Sequence, residues 1–162
     1  MSLHHRWLGR RGEGYVALQA VLLALLLFGP RHLAGQPAWP AWSLWPAQLA
    51  GIALLAAGLA LALAAALRLG RGLTPLPHPR DNCTLVTTGP YALVRHPIYS
   101  GILLAAFGWG CFVQGSLTLL WAFALLVFFD IKSRREEAWL VERFPDYAAY
   151  RRRVRKLLPF IY

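Results

Sequence analysis

The stretch PAQLAGIALLAAGLALALAAALRL, residues 46–69, decides the fold. It carries no charge until Arg68. A helix crossing the hydrocarbon core of a bilayer needs ~20 consecutive apolar residues, and this run supplies them. It is rich in alanine, with Gly51 and Gly58 seven apart, and small residues let helices approach closely in lipid. Three further apolar stretches lie at about 15–29, 98–113 and 117–129. The first is long enough to span if Gly12 and Gly14 are counted in, and the last two are short. Gln114-Gly115-Ser116 between them allows only a tight turn, so they read as a helical hairpin. Backbone groups left unsatisfied in lipid are costly, so that turn is expected in the interface or against protein.

The composition agrees with a membrane setting. The 162 residues suffice for one domain, 1–162. Residues 1–69 would supply two N-terminal helices and 70–162 the remainder. Apolar types make up 57% and charged types 15%, against about 25% charged in an ordinary soluble domain. The net charge is +10, but the basic residues flank apolar segments. They read as orientation signals and contacts to anionic lipid, not as a nucleic-acid surface. Phe28-Gly29-Pro30-Arg31 is a poor cleavage site, so the first run is expected to be a retained helix. Cys83 and Cys111 are far apart and suggest neither a disulfide framework nor a metal site.

Orientation follows from charge placement. Sixteen of the 17 Lys and Arg residues fall in the lead-in (Arg6, Arg10, Arg11), between the second and third stretches (Arg68, Arg71, Arg80, Arg95) or after the fourth. Only Arg31 falls on the other side. The positive-inside rule then places both termini in the cytoplasm, with the chain in the cytoplasmic membrane. Trp39, Trp42 and Trp45, in the opposite loop, suit a headgroup-level aromatic belt.

Two cytoplasmic segments break the apolar pattern. In the first, Thr88-Gly89-Pro90-Tyr91 is a turn signature, and Pro97 suits the first turn of a helix. That gathers Arg95, His96, Tyr99 and Ser100 at a helix N-terminus, where free N–H groups favour an anion such as a carboxylate. Arg95 and His96 could equally serve only as headgroup anchors, and the residues alone leave both readings open. In the second segment, Asp130, Lys132, Arg134, Arg135, Glu136 and Glu137 follow directly on an apolar run. A carboxylate near membrane depth is a functional candidate. Adjacent Glu136 and Glu137 cannot share a face, so one is expected to point into a polar cavity and the other to meet solvent. Beyond them, Leu140, Phe144, Tyr147, Tyr150, Val154 and Leu157 recur at helical spacing, with Arg151, Arg152, Arg153, Arg155 and Lys156 at other positions. This basic amphipathic stretch, broken at Pro145-Asp146, is expected to lie on the anionic inner leaflet. No Walker-type loop, HExxH or GxSxG occurs. Length and pattern exclude a Rossmann domain. The expected fold is all-α: a polytopic bundle of about four transmembrane helices, the last two a tight hairpin, with short amphipathic C-terminal helices.

The run Leu85-Val86-Thr87-Thr88-Gly89-Pro90-Tyr91 through Arg95-His96-Pro97-Ile98-Tyr99-Ser100-Gly101 resembles the isoprenylcysteine carboxyl methyltransferases and the wider phospholipid methyltransferase group. So does Arg135-Glu136-Glu137-Ala138-Trp139-Leu140 with Phe144, Tyr147, Tyr150, Arg153-Val154 and Leu158-Pro159. The resemblance covers roughly residues 70–162. It implies an S-adenosylmethionine-dependent membrane methyltransferase without a Rossmann fold, acting on a lipophilic small-molecule or lipid-modified acceptor (carboxylate, amine or thiol). Carried over, Thr84, Leu85, Val86, Tyr91, Arg95, His96, Pro97, Tyr99 and Gly101 would form the cofactor site. A glutamate of the Glu136-Glu137 pair, Glu136 by alignment, would hold the cofactor's amino group. Lys132 stands where the family has a substrate-side arginine, and lysine lacks the bidentate fork. Arg134 or Arg135 would be the alternatives for that role. Cys83 stands where the eukaryotic members have histidine. An NADPH-dependent reductase of the sterol-reductase type shares a similar Arg-His-Pro-x-Tyr start, but typically has Asn where this chain has Ile98. A non-enzymatic membrane subunit is the remaining alternative.

Overall fold

The computed structural model describes residues 12–74, 76, 84–159 and 161–162. Arg6, Arg10, Arg11, Arg80 and Cys83 therefore lie outside the described residues, as does the side chain of Arg71. The described chain is helical, with no strand and one isolated parallel bridge between Val94 and Arg155. Helix α1 spans Glu13–Phe28, α2 Ala41–Leu69, α3 Pro90–Leu93, α4 Pro97–Phe112, α5 Ser116–Arg143 and α6 Tyr147–Arg153.

Helices α2 and α5, of 29 and 28 residues, are each long and apolar enough to cross a membrane. Helices α1 and α4 have 16 residues each. At 1.5 Å per residue that is about 24 Å, short of the ~30 Å hydrocarbon core. Leu49, Ile52, Leu59, Leu63 and Leu67 stand exposed along α2, an apolar face suited to lipid.

Two elements differ from their expected bounds. Helix α2 starts five residues early and takes Trp42 and Trp45 out of the loop. Both remain exposed on its first turns. Pro46 lies in the second turn of the helix and removes the backbone bond that would otherwise reach the Trp42 carbonyl. Helix α5 does not end with its apolar run at 129 but continues to Arg143, carrying every charged residue of the second cytoplasmic segment on one rigid rod.

The α4–α5 turn meets the requirement for backbone satisfaction. Gln114 adopts φ 54, Gly115 N–H donates to the Gly110 carbonyl at 3.0 Å, and Leu117 N–H donates to the Arg31 carbonyl at 2.9 Å. The Gln114 side chain donates to the Leu44 carbonyl at 3.3 Å. The turn thus sits against protein, on the connection between α1 and α2.

Helices α2 and α4 run antiparallel through two reciprocal glycine pairs. A Cβ on Gly58 would lie 2.5 Å from the Gly101 carbonyl oxygen, and one on Gly101 would lie 2.6 Å from that of Gly58. Gly51 and Gly108 stand in the same relation, each 2.7 Å from the other's oxygen. Two heptad-spaced glycine pairs therefore bring the backbones into direct contact. On the other side, Leu22 and Leu26 of α1 join Leu125, Phe128 and Phe129 of α5 in the buried core.

The tail does not lie on the leaflet as a free amphipathic stretch. The chain breaks at Phe144 as expected, and α6 begins at Tyr147. Tyr147, Tyr150 and Leu157, however, are buried in the protein. Arg95 and His96 N–H groups donate to the carbonyls of Arg155 and Lys156 at 2.8 and 3.1 Å, and Ser100 Oγ donates to the Leu157 carbonyl at 2.6 Å. Lys156, grouped by sequence with the leaflet-facing cations, is buried and pairs with Asp130 at 2.6 Å. Arg151, Arg152, Arg153 and Arg155 do remain exposed.

Candidate functional site

The start of α4, the second half of α5, the end of α2 and α6 enclose a cavity of about 350 Å³. That volume falls within the usual range for small-molecule sites. Pro97 sets the start of α4, with His96 as the residue before its first turn. This aims Arg95, His96 and Tyr99 at the charged half of α5.

Glu137 is the centre of the polar framework. Arg95 Nε donates to Glu137 Oε1 at 2.8 Å, and His96 Nε2 meets the same oxygen at 3.0 Å. The Glu137 side chain is only 5% exposed. Arg95 also donates to the carbonyls of Arg151 and Val154, tying the tail to the same group. The glutamate expected to meet solvent is thus buried and paired. A buried carboxylate needs such partners, because an unpaired charge there is heavily penalised.

Glu136 occupies the other role. Its side chain is 27% exposed and lines the cavity. Tyr99 Oη donates to Glu136 Oε2 at 2.8 Å, and His96 Nδ1 lies 3.8 Å from the same oxygen. The Tyr99 ring stacks between His96 and Phe129, with centroids at 5.4 and 4.5 Å. Lys132 is buried beside it, donating to Gln19 Oε1 of α1 at 2.6 Å, with Nζ 5.2 Å from the Tyr99 ring centre.

The opposite part of the wall is aromatic. Tyr150 Oη donates to the Tyr91 carbonyl at 2.6 Å, and Tyr147 packs edge-on against Tyr150. Burial pushes the Tyr150 phenol up from 10.0 to about 12, and also raises those of Tyr91 and Tyr147. All three are neutral hydrogen-bonding groups at physiological pH.

The structure brings most of the expected residues to one place. Thr84, Leu85, Val86, Tyr91 and Pro97 line the cavity, together with Arg95, His96, Tyr99, Lys132 and Glu136. Four do not line it. Gly101 is at the α2 crossing, Glu137 sits behind Arg95 and His96, and Arg134 is exposed and paired with Asp130 at 2.7 Å. Arg135 lies over the Trp139 ring at 4.8 Å. Nor is the start of α4 a free anion site. The Arg95 and His96 side chains are committed to Glu137, and their N–H groups to the tail. Gln19, Thr74, Phe144, Tyr147 and Tyr150 line the cavity without having been singled out for it. Gln19 was detectable as the one amide in the first apolar run, since a polar side chain in such a run is a functional candidate. The tyrosines were read as an amphipathic stripe, and nothing local distinguishes a stripe facing lipid from one facing protein. Among the described residues no group of three or more His, Cys, Asp or Glu is placed to hold a metal ion.

Fold and site define an all-helical membrane protein with a cavity walled by carboxylate, lysine and tyrosine at the charged end of its helices. A family model for phospholipid methyltransferases matches residues 46–147, well over half of the chain. The chain belongs to that family. It is 44% identical over 82 residues to a protein-S-isoprenylcysteine O-methyltransferase of Schizosaccharomyces pombe, covering 48% of this chain and 34% of the relative. It is 33% identical over 122 residues to a probable protein-S-isoprenylcysteine O-methyltransferase of Oryza sativa, covering 72% and 63%. It is also 38% identical over 81 residues to the cobalt-zinc-cadmium resistance protein CzcN of Cupriavidus metallidurans, covering 49% and 38%. The chain spans from about a third to under two thirds of the length of the curated relatives it matches.

Proposed function

We propose that this chain is a membrane methyltransferase that moves a methyl group from S-adenosylmethionine to a lipophilic acceptor (a carboxylate, amine or thiol) at the cytoplasmic face. The observation that carries the reading is Glu136: a carboxylate held by Tyr99 and facing a cavity lined mainly by aromatic and apolar side chains. The donor set fits the cofactor. Glu136 suits the ammonium, and the Tyr91, Phe144 and Tyr150 region suits a flat heterocycle.

Bound there, S-adenosylmethionine supplies an electrophilic methyl group on a sulfonium. Methyl transfer is an in-line displacement that needs positioning and exclusion of water more than acid-base groups. Glu136 would hold the ammonium, and Tyr99 orients that carboxylate through its hydroxyl. Arg95, His96 and Glu137 brace the wall behind, fixing α4, α5 and the tail to one another. Lys132, with its Nζ on Gln19 and over the Tyr99 ring, is a cavity-lining cation that would orient an acceptor carboxylate. A lysine in that role binds as a point charge, so it does not restrict the acceptor to one planar group.

The test is binding to protein purified in detergent, with S-adenosylmethionine and NADPH as separate ligands. S-adenosylmethionine should bind, and Glu136→Ala should weaken it by at least tenfold while NADPH shows no saturable binding. NADPH binding alone, or S-adenosylmethionine binding untouched by the substitution, would overturn the assignment.

A further inference from the structure

Tyr147 is 1% exposed and lines the cavity, yet its hydroxyl has no hydrogen-bond partner among the described residues. Its neighbour Tyr150 is buried to the same degree and does have one, the Tyr91 carbonyl. A buried hydroxyl without a partner costs about 1–3 kcal/mol, and such a group in a native wall calls for an explanation. The rest of the wall indicates what would meet it. Burial, with the Glu137 and Glu136 carboxylates, outweighs the opposing Arg95 guanidinium and keeps the Tyr147 phenol protonated, so the hydroxyl is a neutral donor. The polar acid-and-lysine groups cluster around Tyr99, while Tyr147 belongs to the aromatic group with Tyr91 and Tyr150.

Resting on the cofactor reading above, we propose that Tyr147 is the residue that reads the nucleoside, its hydroxyl donating to a neutral ring nitrogen of the adenine. The cavity then has a direction. The amino-acid end of the ligand lies at Glu136 and Tyr99, and the base lies at Tyr91, Tyr147 and Tyr150. Phenylalanine at 147 would keep the ring packed against Tyr150 while removing only the donor.

The experiment measures binding of S-adenosylhomocysteine and of 5′-methylthioadenosine, which lacks the amino-acid group, to the detergent-solubilised full chain. Tyr147→Phe should weaken both by the same factor, about three- to tenfold. Glu136→Gln should weaken S-adenosylhomocysteine alone. Loss confined to S-adenosylhomocysteine in Tyr147→Phe, or no loss for either ligand, would overturn the proposal while leaving the cofactor reading in place. If neither ligand binds the unaltered protein, both readings fall. A second arm keeps the protein unaltered and changes the ligand to 1-deaza, 3-deaza and 7-deaza analogues. One of them should bind more weakly, with Tyr147→Phe adding no further loss to that analogue. Independent, additive losses for all three would count against the contact. Thermal midpoints of the empty Tyr147→Phe protein should equal or exceed those of the unaltered chain, because the hydroxyl removed has no partner among the described residues.

Discussion

Adjacent Glu136 and Glu137 have different work. Glu137 accepts from Arg95 and His96 behind the cavity wall, and Glu136 reaches the cavity with one hydrogen bond from Tyr99. Breaking a buried pair by removing one partner costs about 3–5 kcal/mol, because the other charge is left uncompensated. Glu137→Gln is therefore expected to lose about that much in denaturant unfolding in detergent. Glu136→Gln, at a side chain 27% exposed and hydrogen-bonded by the neutral Tyr99 hydroxyl, should lose about 1 kcal/mol or less. Equal losses would show that the two carboxylates are not divided between structure and ligand. The sequence pattern showed that the pair could not share one face. It could not show which face was buried, because His96 and Arg95 reach Glu137 from some 40 positions away.

Helix packing depends on four glycines. Each of Gly51, Gly58, Gly101 and Gly108 faces backbone of the opposite helix, and backbone cannot move aside as a flexible side chain can. Gly58→Ala and Gly101→Ala are each expected to cost about 1–3 kcal/mol by overpacking. They should also weaken ligand binding, since α2 and α4 both wall the cavity. Unfolding in mixed detergent, with ligand affinity measured in parallel, checks both effects, and full stability in both variants would rule out the close crossing. Here the sequence was legible in part. The heptad spacing of Gly51 and Gly58 announced a packing face, but Gly101 was assigned to the cofactor because it lies in a familiar motif. Its partner, Gly58, is known only once the helices are docked. The end of α5 was also only half legible. Hydropathy stops at 129, while the helix continues because helical hydrogen bonding does not depend on the side chains being apolar.

For the whole molecule, charge and fold agree on one arrangement. The cavity, the buried tail and the exposed Arg151, Arg152, Arg153 and Arg155 lie at one end of the helices, and Arg31 lies at the other. Basic residues near anionic lipid contribute about 1 kcal/mol each. We therefore expect both termini in the cytoplasm and the 31–40 connection outside it. Fusing a reporter active only outside the cytoplasm at each of the three positions checks this, and activity at either terminus would reverse the assignment.

Hydrophobic run length, the turn at 114–116, the helix start at Pro97 and the charge asymmetry are set within a few neighbouring residues, so the sequence alone determined an all-helical membrane chain with a basic end. The family motifs within that sequence also marked most of the cavity wall. The tertiary structure alone decided which glutamate faces the cavity, that Gly101 belongs to a helix crossing, that Lys156 and the tail are buried, and that the Tyr147 hydroxyl is buried with no partner among the described residues. Those outcomes depend on contacts between segments tens of residues apart. A local periodicity states that a face is apolar or charged, and only docking selects what that face meets.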